Sequence, residues 1–66
     1  MESTNDLPLL ITSEQAARLL TISERKLWEL TNARKVPCIR FGRAVRYDPR
    51  DLREWLESQK EWPESQ

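Results

Sequence analysis

Two potential helix caps, eleven residues apart, restrict what this 66-residue chain can fold into. Thr12 and Ser23 each stand directly before a run of helix-forming residues. Thr12 with Gln15 also fits a capping box, in which two side chains satisfy unpaired amide donors reciprocally. Since a helical turn takes about 3.6 residues, the spacing leaves room for two helices of about two to three turns each. We therefore predict helices over about 13–20 and about 24–33.

Apolar residues recur at helical spacing in both segments. The stripe of the first helix comprises Ala16, Leu19 and Leu20. The stripe of the second helix comprises Leu27, Leu30 and Thr31. Ala17 adds a second small side chain to Ala16, and together they allow the two helices to approach each other closely. Ile22 in the linker is expected to lie between the helices. Two short helices joined by such a turn form a helix-turn-helix.

A β-hairpin is predicted on either side of Gly42, where apolar and other residues alternate. The apolar set is Ile39, Phe41, Val45 and Tyr47, and the other set is Cys38, Arg40, Ala44 and Arg46. A two-residue turn at Gly42 would mix both sets on each face, whereas a three-residue loop over 42–44 gathers the apolar set on one face. We therefore predict the three-residue loop, which sets Arg40 opposite Arg46 on the outer face as a destabilising like-charge pair.

A third helix is predicted after Asp48 and Pro49, an N-cap and a first-turn proline, and should run to about Ser58. Its inward face comprises Leu52, Trp55, Leu56 and Gln59, with Trp55 as the expected core anchor. We divide the chain into a flexible arm over 1–8, one domain over 9–58 and a flexible tail over 59–66. Within the domain, 9–11 should lie extended against the core.

The formal net charge is zero, but the charges are unevenly distributed. Residues 25–50 carry eight basic and two acidic groups, a sum of +6, while 1–24 and 51–66 each sum to −3. A basic middle between acidic ends indicates a face that binds a polyanion. The alternative, that these charges only solvate the surface, is the simpler interpretation for any single residue.

The composition argues against an enzyme. The chain has no histidine, one cysteine and no glycine-rich phosphate loop, so neither a nucleophile-base pair nor a zinc site has its residues. We expect no catalytic residue, metal or cofactor, and Cys38 is interpreted as a strand residue. A single cysteine forms no intramolecular disulfide, and no apolar run is long enough for a membrane span. A reduced, cytoplasmic protein is therefore expected.

The outward face of the second helix carries residue types that read DNA bases. Three residues point most directly away from the apolar stripe: Arg25, Glu29 and Asn32. Lys26 and Trp28 flank them. Arginine can bond guanine bidentately, asparagine can do the same for adenine, and glutamate can accept from the cytosine amino group.

Each of these residues also has a structural interpretation. Arg25 and Glu29 could form an i,i+4 ion pair on a solvated face, which we favour for Glu29 and leave open for Arg25. Trp28 is expected to pack at the edge of the domain. Ser23 stands where a DNA phosphate would be held, but capping is its expected role.

The segments LLITSEQAARLLTIS, KLWEL, VP, IRFGRAVRY and DLREWLE resemble the excisionase-like DNA-binding domains of the MerR helix-turn-helix superfamily. The similarity covers about 9–57. It implies that the second helix enters the major groove and that the hairpin is a wing along the backbone or minor groove. Two departures are Arg34, where relatives often have a glycine, and Glu24, a negative charge at the helix end nearest the phosphates.

The predicted fold class is mostly α with a small β-hairpin, a winged helix-turn-helix. The predicted function is sequence-specific binding of double-stranded DNA by a monomer, through a recognition helix over about 24–33 and a wing over 38–47. Its role would be that of an excisionase-type recombination factor, with an integrase or adjacent copies as further partners. The alternatives are a small transcriptional regulator and, in another class, a protein-interaction module that docks through Trp28 and Trp62. The DNA-contacting residues predicted are Ser23, Arg25, Lys26, Trp28, Glu29 and Asn32 in the helix and Arg40, Arg43 and Arg46 in the wing.

Overall fold

The computed structural model describes residues 9–63, so the predicted arm over 1–8 and residues 64–66 of the predicted tail lie outside it. Three helices and one two-stranded antiparallel sheet follow one another in the predicted order. The elements are α1 (Ser13–Leu20), α2 (Glu24–Asn32), β1 (Ile39–Phe41), β2 (Ala44–Arg46) and α3 (Pro49–Gln59). The winged helix-turn-helix fold is therefore confirmed. Within the described residues no helix has the length and apolar character needed to cross a bilayer.

Both helices of the pair begin at the predicted caps. The Gln15 N–H donates to Thr12 Oγ1 at 3.2 Å, and the Thr12 N–H donates to Gln15 Oε1 at 2.9 Å, so the capping box is complete. The Lys26 N–H donates to Ser23 Oγ at 3.0 Å. These bonds satisfy amide donors that a helix start otherwise leaves unpaired, and they fix where α1 and α2 begin.

The end of α1 is a turn that reverses the chain toward α2. The Ile22 N–H donates to the Ala17 carbonyl at 3.0 Å, and the Thr21 N–H donates to the Arg18 carbonyl at 3.1 Å. This is a Schellman motif, which needs a left-handed residue, and Thr21 takes that conformation with φ 62°. Ile22 is thereby carried between the helices, where it is half-buried against the core as predicted.

The end of α2 repeats the same motif. The Lys35 N–H donates to the Leu30 carbonyl at 2.9 Å, and the Arg34 N–H donates to the Thr31 carbonyl at 3.1 Å. Arg34 is the left-handed residue, with φ 60°. The position that departs from the glycine of the similar family is thus one whose backbone favours glycine.

The core lies between the helix pair, α3 and the base of the hairpin. Its buried members are Ile11, Ala16, Ala17, Thr31, Leu27, Val36, Tyr47 and Leu52. The inward positions of Leu27 and Thr31 are confirmed, but that of Leu19 is wrong, because its side chain is 63% exposed. The buried residues of α1 are Ala16 and Ala17, so its inward face is centred on the two alanines and Leu19 lies outside it.

One backbone pairing links the start of the domain to the strand that leaves the wing. The Ile11 N–H donates to the Tyr47 carbonyl at 2.8 Å, and the Tyr47 N–H donates to the Ile11 carbonyl at 2.9 Å. Both side chains are buried. The prediction that the chain before α1 lies extended against the core is confirmed at Ile11, whereas Leu9 is exposed.

The register predicted for the hairpin is wrong. The observed Cα pairs are Ile39 with Arg46, Arg40 with Val45, and Phe41 with Ala44. The connection is therefore the two-residue turn of Gly42 and Arg43. Gly42 has φ +60°, as expected for glycine at the first central position of a type II′ turn. Arg40 and Arg46 do not oppose each other, so the predicted like-charge pair does not exist.

The faces of the hairpin explain why this register is stable. Paired residues share a face and successive residues alternate, so Arg40 and Val45 lie on one face while Phe41 and Arg46 lie on the other. Val45 packs against the core from the first face, and Phe41 is 58% exposed on the second. Only the base of one face is buried, so the hairpin does not need one fully apolar face, and that assumption produced the wrong prediction.

The third helix begins as predicted and ends at Gln59, one residue later than predicted. The Arg50 N–H donates to Asp48 Oδ1 at 2.9 Å and its guanidinium Nη2 lies 3.2 Å from Asp48 Oδ2. These hydrogen bonds lower the pKa of the Asp48 carboxyl. Burial then falls along the helix: Leu52 is buried and Trp55 only half-buried. Leu52 is therefore the most buried residue of α3, and Trp55 packs against the core as predicted but only in part.

Candidate nucleic-acid interface

The outward face of α2 presents three exposed side chains at helical spacing. Arg25, Trp28 and Asn32 are separated by three and four residues, so they lie on one side of the helix. Trp28 is 67% exposed, so its expected packing role at the domain edge is wrong. A large apolar ring beside a cation and a carboxamide is a surface suited to a partner.

A groove of about 400 Å³ separates this face from the wing. Its lining residues are Ser13, Glu24, Arg25, Trp28, Thr31, Asn32, Arg40, Val45 and Tyr47. Tyr47 and Thr31 are buried members of the core, so the groove is continuous with the structural centre of the domain. Side chains predicted separately for the helix and the wing thus meet at one site.

The wing contributes Arg40 to this groove because of its two-residue turn. The observed register pairs Arg40 with Val45, whose face packs toward the helices. In the predicted register Arg40 would have stood on the outer face, away from α2. The groove is therefore a feature that the sequence interpretation missed.

Arg25 and Glu29 form the i,i+4 ion pair that is the structural interpretation of these two residues. The Arg25 Nε lies 4.0 Å from Glu29 Oε2, and the Arg25 side chain is 89% exposed. A long pair between exposed charges contributes little and is screened by salt. Arg25 is therefore free to exchange Glu29 for another acceptor, while Glu29 lies outside the residues that line the groove.

The Asn32 carboxamide is oriented by its own helix. Its Nδ2 donates to the Trp28 carbonyl at 3.1 Å. An amide nitrogen carries two hydrogens, so one N–H and the Oδ1 remain for another group. That is the donor and acceptor combination that matches the major-groove edge of adenine.

The start of α2 carries two further residues from the predicted set. Ser23 Oγ is engaged in capping, which confirms the role expected for it, and its hydroxyl hydrogen is left for another acceptor. The Lys26 side chain is exposed. Neither residue lines the groove, so both lie beside it.

The three wing arginines do not share one face. Arg43 is exposed at the tip of the turn. Arg46 lies on the face opposite Arg40, is half-buried, and its Nη1 donates to the Val45 carbonyl at 2.9 Å. The geometry therefore brings Arg40 to the groove, leaves Arg43 at the tip and gives Arg46 a local structural contact.

Most of the basic side chains in segment 25–50 have no acidic partner within residues 9–63. Within that range the ion pairs engage only four of the basic side chains, namely Arg18, Arg25, Arg50 and Lys60. The basic residues of segment 25–50 outside these pairs are Lys26, Arg34, Lys35, Arg40, Arg43 and Arg46. The excess of positive charge is thus available to attract a polyanion.

Five of the groove-lining residues were not among those predicted to contact DNA, and two of the five stand at helix starts. Ser13 is the first residue of α1, and Glu24 is the first of α2. Glu24 was noted only as a negative charge, and Ser13 gave no signal because its position depends on how the two helices cross. Both place a helix start at the rim of the groove.

Comparison with known proteins assigns the fold to a family. A model of the helix-turn-helix domain matches residues 10–60. This range includes all three helices in full and the whole wing. No curated protein and no solved structure matches the chain. The match covers most of the chain and agrees with the geometry of α1, α2 and the hairpin. The protein belongs to the helix-turn-helix domain family, a family of DNA-binding domains.

Proposed function

We propose that this protein binds double-stranded DNA sequence-specifically, with α2 in the major groove and the wing on the backbone or in the minor groove. The observation that carries the proposal is the shared groove, which gathers Arg25 and Asn32 from α2 and Arg40 from the wing. A helix with exposed base-reading side chains fits the width of the major groove. A cation across the groove would meet a phosphate of the same duplex.

The proposed contacts divide into two kinds. Arg25 and Asn32 are assigned to base edges, because both can bond a purine bidentately. Glu29 either accepts from a cytosine or orients Arg25 through their ion pair. The phosphate contacts are assigned to Ser23, Lys26, Arg40, Arg43 and Arg46, of which Arg46 is the least accessible.

We propose an excisionase-type recombination role for this activity. A single module buries only about 600–1,000 Å² on DNA, so useful specificity needs help from adjacent copies or from a partner such as an integrase. The protein would then be a monomer in the cytoplasm that assembles on its site. A small transcriptional regulator of the same fold is the alternative, and binding of the duplex in the presence and absence of an integrase separates the two.

A protein-interaction module is the alternative from another class. It would dock through Trp28 and Trp62, whose side chains are 67% and 76% exposed. Salt separates the two classes, because each phosphate contact releases counterions and makes DNA affinity fall steeply with ionic strength. A protein docked through two indole rings shows no comparable salt dependence.

The experiment compares Arg25→Ala with Arg53→Ala on a specific and a random duplex over several salt concentrations. Both changes remove one exposed arginine from a helix, but Arg53 lies on α3, outside the groove. Arg25→Ala should cost about 1–3 kcal/mol on the specific site and relax preference at one base pair. Arg53→Ala should leave the specific affinity unchanged.

Two results would count against the proposal in different ways. An equal loss for Arg25→Ala on both duplexes would make Arg25 a phosphate contact and remove it from base reading. Absence of salt-dependent binding by the parent protein to any duplex would reject DNA binding as a whole.

A further inference from the structure

Trp28 is the one large apolar side chain of α2 that faces the groove instead of the core. Its ring is 67% exposed, and it stands between Arg25 and Asn32 along the groove wall. Leaving an indole in water forgoes the burial that such a large apolar surface gains elsewhere. We therefore expect the ligand that binds in the groove to carry an apolar group that contacts this ring.

The position of Trp28 in the groove is fixed by the packing of its helix. Leu27 and Thr31, its neighbours on α2, are buried, so the helix is not free to rotate. Thr31 is held by hydrogen bonds to the Leu27 carbonyl at 2.8 Å and to the Tyr47 hydroxyl at 2.6 Å. A rigid helix thus presents Trp28 outward in every copy of the domain.

The major groove of DNA offers few apolar groups to such a ring. Adenine, guanine and cytosine present hydrogen-bond donors and acceptors there, whereas thymine adds a methyl group at C5. Indole has a single N–H donor and cannot satisfy several polar edges at once. A ring placed over polar edges would strip water from them without replacing the lost hydrogen bonds.

We infer that Trp28 reads the C5-methyl group of a thymine in the major groove. This inference rests on the proposed function, because it requires α2 to lie against base edges. It adds a specificity determinant that works by apolar contact, beside the hydrogen-bonding readers Arg25 and Asn32. The bound site should therefore contain a thymine adjacent to the base pair read by one of these two side chains.

The test removes the methyl group from the DNA without changing any hydrogen bond. The full chain first selects its site from a pool of random duplexes, and each thymine of the selected site is then replaced singly by uracil. Loss of one buried methyl group should weaken binding roughly fourfold at one position. Uracil at the other positions should have no effect.

Two variants connect that position to the indole. Trp28→Ala should weaken binding to the thymine site and make the affinities for the thymine and uracil duplexes equal. Trp62→Ala removes another exposed indole, outside α2, and should keep the roughly fourfold difference. A thermal melt of Trp28→Ala should resemble that of the parent, because the ring lies outside the core.

The possible results separate the inference from the function on which it rests. Failure to select any site, with no duplex bound, rejects the proposed function. A selected site without thymine, or one insensitive to uracil at every position, overturns the inference and leaves DNA binding intact. A uracil effect that persists in Trp28→Ala also overturns it, even if this variant binds every duplex more weakly, since another side chain would then contact the methyl group.

Discussion

The hydroxyl groups of Thr31 and Tyr47 lie 2.6 Å apart in the core and join α2 to the strand that leaves the wing. The Thr31 hydroxyl donates its hydrogen to the Leu27 carbonyl at 2.8 Å. The bond between the two hydroxyls must therefore be donated by Tyr47, since a hydroxyl has one hydrogen. Thr31 and Tyr47 both line the groove, so this bond holds the α2 side of the groove and Tyr47 in fixed relative positions.

Removing the Thr31 hydroxyl should destabilise the domain more than removing the Tyr47 hydroxyl. Thr31→Val leaves the Tyr47 hydroxyl without its acceptor in a side chain that is only 1% exposed, which should cost about 1–3 kcal/mol. Tyr47→Phe leaves the Thr31 donor satisfied and should cost about 0.5–1.5 kcal/mol. Urea titrations of both variants and of the double variant measure these free energies of unfolding. A larger cost for Tyr47→Phe than for Thr31→Val would contradict the donor assignment.

Replacing Arg34 with glycine should stabilise the folded protein, because this residue has a left-handed backbone conformation at the end of α2. Arg34→Gly should raise the free energy of unfolding by about 0.5–1 kcal/mol, the strain of the left-handed residue less the entropy of a glycine. Arg34→Ala is the matched control, since it removes the same charge without relieving the backbone. Denaturant titration of the two variants checks the difference, and equal stabilities would show that the strain is negligible.

Asp48 should make the start of α3 sensitive to acid. Its pKa is lowered chiefly by the hydrogen bond from the Arg50 side chain and then by that from the Arg50 backbone. A carboxyl with a lowered pKa in the folded state stabilises that state above its ordinary pKa of 3.8. This stabilisation is lost as the pH falls below that value, through the lower pKa of the folded protein.

The measurement is the melting temperature of the parent and of Asp48→Asn as a function of pH. Asparagine is also a good N-cap but does not titrate. The advantage of the parent should therefore be present at neutral pH and shrink as the solution is acidified. An advantage that is constant with pH would show that the carboxylate charge contributes nothing.

Arg40 and Arg46, which lie on opposite faces of the wing, should respond differently to alanine. Arg40→Ala should weaken DNA binding on all sequences and lower the salt slope by roughly one unit, because its side chain faces the groove. Its folding stability should be unchanged, since Arg40 is exposed and opposes Val45. Arg46→Ala should instead lose about 0.5–1.5 kcal/mol of stability with its hydrogen bond to the Val45 carbonyl, and affect binding less.

Titrations with DNA at several salt concentrations and melts of the same two variants decide between these roles. The reverse pattern, with binding lost in Arg46→Ala and kept in Arg40→Ala, would place the DNA on the other face of the wing.

The helices could be predicted because their limits are set locally. Thr12 and Ser23 cap the chain within three residues of themselves, so their role can be recognised without knowledge of the tertiary fold. Leu19 was misassigned because helical spacing alone does not show which side of α1 is centred on the core, and the buried side is that of Ala16 and Ala17. The wing register was misassigned because it depends on which part of the hairpin the helices cover. The groove, which needs the correct register for Arg40, could not be predicted for the same reason.

The pairing of Ile11 with Tyr47 also bears on how the domain folds. It closes a loop that contains α1, α2 and both strands, so the entropy of closing that loop opposes it until the enclosed elements have formed. The helix pair and the hairpin depend on local contacts and can form early, whereas their joining is the late, long-range step. The groove exists only after that step, so the unjoined helix pair and the unjoined hairpin are each expected to lack the binding site.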